Sequence, residues 1–123
     1  LDLSQMLPEP GQGALAIETR ADDEAVGELL RALVEPFSRA CVEAERAFLR
    51  TLGGGCRVPI AACASCERGE LALEGAVIAV DGTRQLRGTS RGPMTEPMAL
   101  GARLAQDLIA QGAAELLNVS PRA

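Results

Sequence analysis

Three consecutive glycines, Gly53 to Gly55, separate a helical pattern from a β pattern and so constrain the fold more than any other stretch. A helix does not continue through three glycines, whose backbone can take positive φ or approach a bulky group closely. Cys56 and Arg57 follow directly, so the turn presents a thiol beside a fixed positive charge. Such an environment favours a nucleophilic thiolate. The alternative is a small residue that tucks into the core, since free cysteine behaves as a small hydrophobe.

Composition excludes several kinds of chemistry. The chain has 123 residues, 47% of them apolar, with two Phe and no Trp or Tyr, so it fits one domain with an aliphatic core. It contains no His, which excludes Ser–His and Cys–His pairs within the chain and most zinc enzyme sites, and all 12 basic residues are Arg, which excludes lysine Schiff bases. The net charge of −5 argues against a nucleic-acid surface. The apolar runs are too short for a membrane span.

The four cysteines indicate reduced thiols in a cytoplasmic protein, because nothing in the sequence resembles a secretory signal. Cys63 and Cys66 have C-x-x-C spacing, but they lie in a predicted strand and its following turn, not at a helix N-terminus. A zinc site would also need Cys41 and Cys56, and Cys41 lies on the apolar stripe of a helix. A redox or zinc protein is therefore the least favoured hypothesis, and we predict no metal site.

The N-terminal stretch predicts a prolyl and glycine-rich loop followed by a strand. Gly11, Gly13 and Ala16 match the letters of a dinucleotide fingerprint, but the prolyl turn before them and the strand after them are in the wrong order. What remains is a loop whose backbone can approach a ligand, with Gln12 as its only polar side chain. Residues 14–18 are expected to form a buried strand, which lacks a partner here. We therefore predict that residues 14–18 pair with a sheet contributed by residues that precede this chain, and that a boundary separates residues 1–20 from a second unit, residues 21–123.

Two helices are predicted next. Asp22 or Asp23 is a sound N-cap for a first helix of about three turns with an apolar stripe. The second helix runs from near Pro36 to about Leu52. Its charged residues are interpreted as a mostly solvated face: Glu43, Glu45, Arg46 and Arg50.

The second half of the chain predicts three strands and another helix. The strands cover residues 58–66, 71–80 and 83–91, with turns at Arg68-Gly69 and Asp81-Gly82. Thr95 is a plausible N-cap for a third helix with Pro97 in its first turn, and residues 113–118 continue that helix or form a short last element. The predicted fold class is α+β, a three-stranded antiparallel sheet with three helices packed on one face.

Several motifs together resemble a known family. They are Leu7-Pro8 followed by Gly11-Gln12-Gly13-Ala14, then Ala44-Glu45-Arg46-Ala47, then Gly54-Gly55-Cys56-Arg57-Val58-Pro59-Ile60, and finally Leu86-Arg87-Gly88. In this order and spacing the chain resembles the C-terminal part of the porphobilinogen deaminase family, whose members are also called hydroxymethylbilane synthases.

The resemblance implies a transferase of tetrapyrrole and heme biosynthesis that joins four porphobilinogen units, with loss of ammonia, into 1-hydroxymethylbilane. It implies a dipyrromethane cofactor bound by a thioether to Cys56, with Gln12, Gly13 and Pro10 as further cofactor-site candidates. It places the family's catalytic aspartate in the preceding N-terminal domains, so no catalytic residue is expected here. The isolated chain is therefore expected to be inactive and to carry no cofactor. The alternative is a non-catalytic interaction domain with the same fold, and the expected partners are porphobilinogen, the growing pyrrole chain and the N-terminal domains, with no nucleic acid and no membrane.

Overall fold

The computed structural model describes residues 2–53 and 59–118 and contains four helices and one sheet. Helix α1 spans Glu24–Arg31 and helix α2 spans Pro36–Thr51. Strands β1, β2 and β3 follow at Ile60–Glu67, Glu70–Ile78 and Gln85–Pro93. Helix α3 covers Pro97–Ala110, and the short helix α4 covers Ala113–Asn118. The predicted fold class is confirmed.

The sheet is an antiparallel meander in the order β1-β2-β3. The β1–β2 turn is Arg68-Gly69, with φ of 51° and 77°, the backbone that a two-residue hairpin prefers. The second hairpin is wider than predicted, because Ala79 donates its N–H to the carbonyl of Arg84 at 2.8 Å after β2 has ended. Asp81 closes this loop by accepting from the backbone N–H of Thr83 at 3.0 Å.

Local signals set where helices begin. Asp23 is the N-cap of α1 and accepts from the N–H of Val26 at 3.1 Å, as predicted. The carboxylate of Glu35 caps α2 by accepting from the N–H groups of Phe37 and Ser38. The prediction for α3 was wrong by one residue. Its N-cap is Glu96 instead of Thr95, and no side chain makes a capping bond there.

The core lies between the sheet and helices α2, α3 and α4. Alternate residues of β2 face this core, since neighbouring strand residues point to opposite faces. The largest fully buried side chain is that of Phe48 in α2. The buried members of this cluster on the sheet are Ile60, Ala62, Leu71, Leu73 and Val77, and Ala79 joins them just after the end of β2.

The three helices on the sheet are not the three that were expected. Helix α1 contributes no buried residue, although the helix is strongly amphipathic and has an apolar stripe. Leu29 is 74% exposed and Leu33 is 68% exposed. Helix α4, left open as a continuation of α3, instead packs Ala113 and Leu116 into the core. A helical stripe shows that one face is apolar but does not specify what covers it.

Residues 14–18 do not form the predicted buried strand in this structure. They have no regular secondary structure, and Leu15 and Ile17 are 96% and 61% exposed. An isolated extended segment has no ladder partner to satisfy its backbone, which explains the difference. The proposed pairing with residues that precede the chain stays a prediction, as does the boundary between residues 1–20 and 21–123. The side chains of Leu15 and Ile17 leave an exposed apolar area around this segment.

Candidate functional site

The N-terminal segment crosses the edge of β1 and delivers the Gly11–Gly13 loop to the folded unit. The carbonyl of Pro8 accepts from the N–H of Ala62 at 2.9 Å. Gly11 and Gly13 both adopt positive φ, at 78° and 83°, which glycine takes without strain. Pro10 is half-buried, whereas Gln12 and Gly13 are exposed. The three further cofactor-site candidates, Pro10, Gln12 and Gly13, therefore lie on one turn, and the polar side chain of Gln12 is in solvent.

Glu45 holds this loop and was missed by sequence reasoning. It was assigned to the solvated face of α2, but it is only 8% exposed. Its carboxylate accepts from the N–H of Gly11 at 2.7 Å and from the N–H of Ala64 at 2.8 Å. The other charges behave as predicted: Arg46 and Arg50 are exposed, and Glu43 pairs with Arg39 at 2.9 Å on the helix surface.

A signal for Glu45 was present in the helix periodicity. Cys41, Glu45, Phe48 and Leu52 are spaced by four, three and four residues, so they lie along one face of α2. Phe48 and Leu52 are buried, and Cys41 packs against the same core. A carboxylate in line with buried residues must find hydrogen-bond donors, since burying it unpaired is very costly. The sequence does not show which donors these are.

Arg87 forms a second attachment of the N-terminal segment, on the open face of the sheet. Its guanidinium donates to the carbonyl oxygens of Leu3 and Ser4 at 2.8 and 3.0 Å. It also pairs with the carboxylate of Glu74 on the neighbouring strand at 2.5 Å. Next to it, Leu7 is buried against Ala61, Ala76 and Cys63. Residues 2–8 therefore lie against the open face of the sheet, where the Arg87 bonds and the burial of Leu7 hold them.

Cys63 and Cys66 do not form a joint thiol site. Cys66 packs against the main core and lies 4.0 Å from the sulfur of Met94, whereas Cys63 packs on the opposite face beside Leu7. The two residues are three apart on one strand, an odd spacing that points them to opposite faces. Cys41, Cys63 and Cys66 are free thiols. Within residues 2–53 and 59–118, no group of three or more His, Cys, Asp or Glu could hold a metal ion.

Burial also lowers the reactivity of two of these thiols, those of Cys41 and Cys63, as nucleophiles. It raises the pKa of Cys63, and the carboxylates of Glu45 and Glu74 raise it further. Burial is likewise the main reason that the pKa of Cys41 is raised. A raised thiol pKa leaves a smaller fraction of thiolate at neutral pH, and the thiolate is the reactive form. Neither cysteine has the environment of an activated nucleophile.

We predict that Cys63 reacts slowly with iodoacetamide at pH 8 and that the midpoint of its rate against pH lies above the ordinary value of 9.0. The readout is peptide mass after timed quenching, with the same chain in urea as the control. In urea the unfolded chain exposes Cys63 to solvent and separates it from the two carboxylates. Its pKa should therefore fall, and its rate of reaction at pH 8 should rise. Equal rates in buffer and urea would contradict the assigned environment.

Cys56, the principal site candidate, lies outside the described residues, as do Gly54, Gly55, Arg57 and Val58. The structure describes what flanks them. Gly53 has a φ of 72° just after the end of α2, and the carbonyl of Pro59 accepts from the N–H of Ile78 at 2.9 Å. Glu45 bonds to Ala64 and so connects α2, which precedes this segment in the chain, with β1, which follows it. The Gln12 turn is attached to the same pair of elements.

The chain matches the family model described as "Porphobilinogen deaminase, C-terminal domain" over residues 39–110. The chain belongs to the porphobilinogen deaminase family. The match begins within α2 and ends with α3, so it covers the sheet, the segment with Cys56 and most of the core. It leaves out α1, the helix that contributes no buried residue.

Curated porphobilinogen deaminases agree with this assignment. The chain is 49% identical to the one from Moorella thermoacetica over 112 residues, which cover 91% of this chain and 36% of that protein. It is 53% identical to the one from Synechococcus elongatus over 88% of this chain and 34% of the relative. The relative from Thiobacillus denitrificans is 45% identical over 98% of this chain and 40% of its own length. The chain therefore spans between a third and two fifths of these porphobilinogen deaminases.

No helix within the described parts of the chain is both long enough and apolar enough to cross a bilayer.

Proposed function

We propose that this chain is the cofactor-attachment part of a cytoplasmic transferase that joins four porphobilinogen units into 1-hydroxymethylbilane with loss of ammonia. The observation that carries the proposal is the family match over residues 39–110, which includes the segment Gly54-Gly55-Cys56-Arg57-Val58-Pro59. Curated relatives named porphobilinogen deaminase align with nearly the whole chain.

The thiols of the chain support Cys56 as the attachment point. A thioether to a dipyrromethane needs a thiol that is accessible and ionises readily. Burial raises the pKa of Cys41 and of Cys63, and Cys66 faces the core beside Met94. Cys56 follows three glycines and precedes an arginine, a sequence context that favours a thiolate with room around it. When bound, dipyrromethane supplies the primer to which substrate units are joined.

The residues of this chain would bind and orient rather than transfer protons. The Cys56 sulfur would form the carbon–sulfur bond, and the charge of Arg57 would favour its thiolate form. The exposed amide of Gln12 can donate and accept hydrogen bonds, and it stands on the turn formed by Pro10 and Gly13. The aspartate of the family would come from the N-terminal domains, so we propose no catalytic residue within this chain.

The exposed apolar surface supports a larger partner of the same protein. Leu15, Ile17, Leu29 and Leu33 are all more than 60% exposed, and exposed apolar surface is what a docking partner would cover. The relatives are two and a half to three times longer than the matched region. We propose that N-terminal domains cover this surface, whereas the alternative of a non-catalytic interaction domain would leave it for an unrelated protein.

The test joins this chain to the N-terminal part of the Synechococcus elongatus relative and incubates the product with porphobilinogen. We expect intact mass to show a dipyrromethane adduct, and we expect Cys56→Ser to abolish both the adduct and product formation. Cys63→Ser is the matched control and should retain both. This chain alone should carry no adduct and show no deaminase activity. A folded fusion without an adduct, or an adduct that persists in Cys56→Ser, would overturn the proposal.

A further inference from the structure

The buried carboxylate of Glu45 joins three segments that are far apart in sequence. It lies on α2, and its two oxygens accept from Gly11, 34 residues away, and from Ala64, 19 residues away. The distances, 2.7 and 2.8 Å, are those of well-formed N–H···O hydrogen bonds. One side chain thus connects the N-terminal loop, the helix before Cys56 and the strand after it.

Both donors need this acceptor. Strand β1 is an edge strand, so the N–H groups on its outer side have no partner strand. The carbonyl of Pro8 satisfies Ala62, and Glu45 satisfies Ala64 two residues later. Within the described ranges no arginine forms an ion pair with Glu45. Within those ranges, the backbone N–H groups of Gly11 and Ala64 therefore compensate for the burial of the Glu45 carboxylate. The bond from Gly11 requires the N-terminal loop to stay in a precise position.

The loop is short enough that holding Gly11 also holds Gln12. The N–H of Gln12 donates to the carbonyl of Glu9 at 3.1 Å, and the N–H of Ala14 donates to the carbonyl of Gly11 at 3.1 Å. These bonds make two successive tight turns around Gly11. A fixed Gly11 amide therefore limits where the Gln12 side chain can lie.

We propose that Glu45 is a positioning residue that fixes the Gly11–Gly13 loop, and with it Gln12, against the edge of β1. The consequence for turnover rests on the proposed function. The structural part does not, because it concerns contacts made within this chain.

The first test is amide hydrogen exchange in the native chain and in Glu45→Gln. The glutamine is isosteric, but its NH2 group must face one of the two N–H donors, so at least one bond is lost. We expect exchange at Gly11 or Ala64, or at both, to accelerate about tenfold or more, as the loss of a hydrogen bond to a charged group implies. Glu43→Gln is the matched control, since Glu43 lies on the surface of the same helix. Exchange at Leu73 in the central strand reports global opening.

Acceleration at Gly11 and Ala64 no greater than that at Leu73 would overturn the positioning role, because it would show only general destabilisation. A further measurement needs no variant. In the native chain the Gly11 amide should exchange about tenfold or more slowly than that of Gly13, for which no acceptor is seen in the described ranges. Equal rates at the two glycines would also overturn the proposal, even if Glu45→Gln failed to fold.

The second test uses the fusion enzyme. We expect Glu45→Gln to retain the dipyrromethane adduct and to lower kcat by about tenfold, with a smaller change in KM, while Glu43→Gln leaves both constants unchanged. An unchanged kcat in Glu45→Gln would overturn the catalytic consequence. An adduct missing from the unmodified fusion would instead contradict the proposed function and leave the exchange result standing.

Discussion

Replacing Phe48 with alanine should lower the free energy of unfolding by about 4 kcal/mol, as expected for a fully buried phenylalanine. Phe48 is 0% exposed and lies between α2 and the centre of the sheet. A Cβ built at Gly75 would come within 2.5 Å of its Cζ, so the ring occupies the space that the glycine leaves open. The chain has one other phenylalanine and no Trp or Tyr, and the surrounding aliphatic side chains cannot refill that volume.

The matched control is Phe37→Ala, because Phe37 lies on the same helix and is 51% exposed. It should change the free energy of unfolding by about 1 kcal/mol or less. Urea denaturation followed by far-UV circular dichroism gives both values if the m-value stays constant. Similar losses for the two variants would show that Phe48 is not the centre of the core.

Gly101→Val should destabilise the chain by about 3 kcal/mol or more, because the site has no room for a side chain. A Cβ at this position would lie 2.2 Å from the carbonyl oxygen of Ala44 and 2.8 Å from the Cβ of Ala47. The first contact is with backbone, which cannot rotate away as a side chain can. Helices α2 and α3 would have to separate, although they pack against each other more extensively than any other pair of described elements.

Gly27→Ala is the control for this prediction. Gly27 lies in α1, no heavy atom is within 4 Å of a Cβ built there, and its φ is not positive. Alanine is the better helix former, so the variant should be neutral or more stable by up to about 1 kcal/mol. Urea denaturation measures both variants. A Gly101→Val chain as stable as Gly27→Ala would contradict the close packing of the two helices.

Sequence reasoning succeeded where a structure depends on neighbouring residues. The side chain of Asp23 caps the helix that begins next to it, and Pro36 starts α2 as its position predicted. Arg68 and Gly69 turn the chain because two positive φ angles suit a tight hairpin. The motifs at residues 7–14, 44–47, 54–60 and 86–88 together also placed the chain in its family, since the order and spacing of motifs are properties of the sequence itself.

The candidate site was predicted only in part. Pro10, Gln12 and Gly13 were recognised as one loop, and the structure attaches that loop to α2 and β1 through the Gly11 amide. Glu45, which holds the loop in place, was assigned to the solvated face of α2, because a charge among other charges looks solvated in a linear sequence. Its burial depends on donors 34 and 19 residues away.

By itself the sequence determined the long helices, the three strands of the sheet, the first hairpin turn and the family, because capping, periodicity and motif spacing act over a few residues. Only the tertiary structure decided which apolar faces are covered. The stripe of α1 remains exposed at Leu29, while α4 is packed into the core. It also decided that Glu45 is a buried anchor, since hydrogen bonds between distant segments form only after the chain has folded.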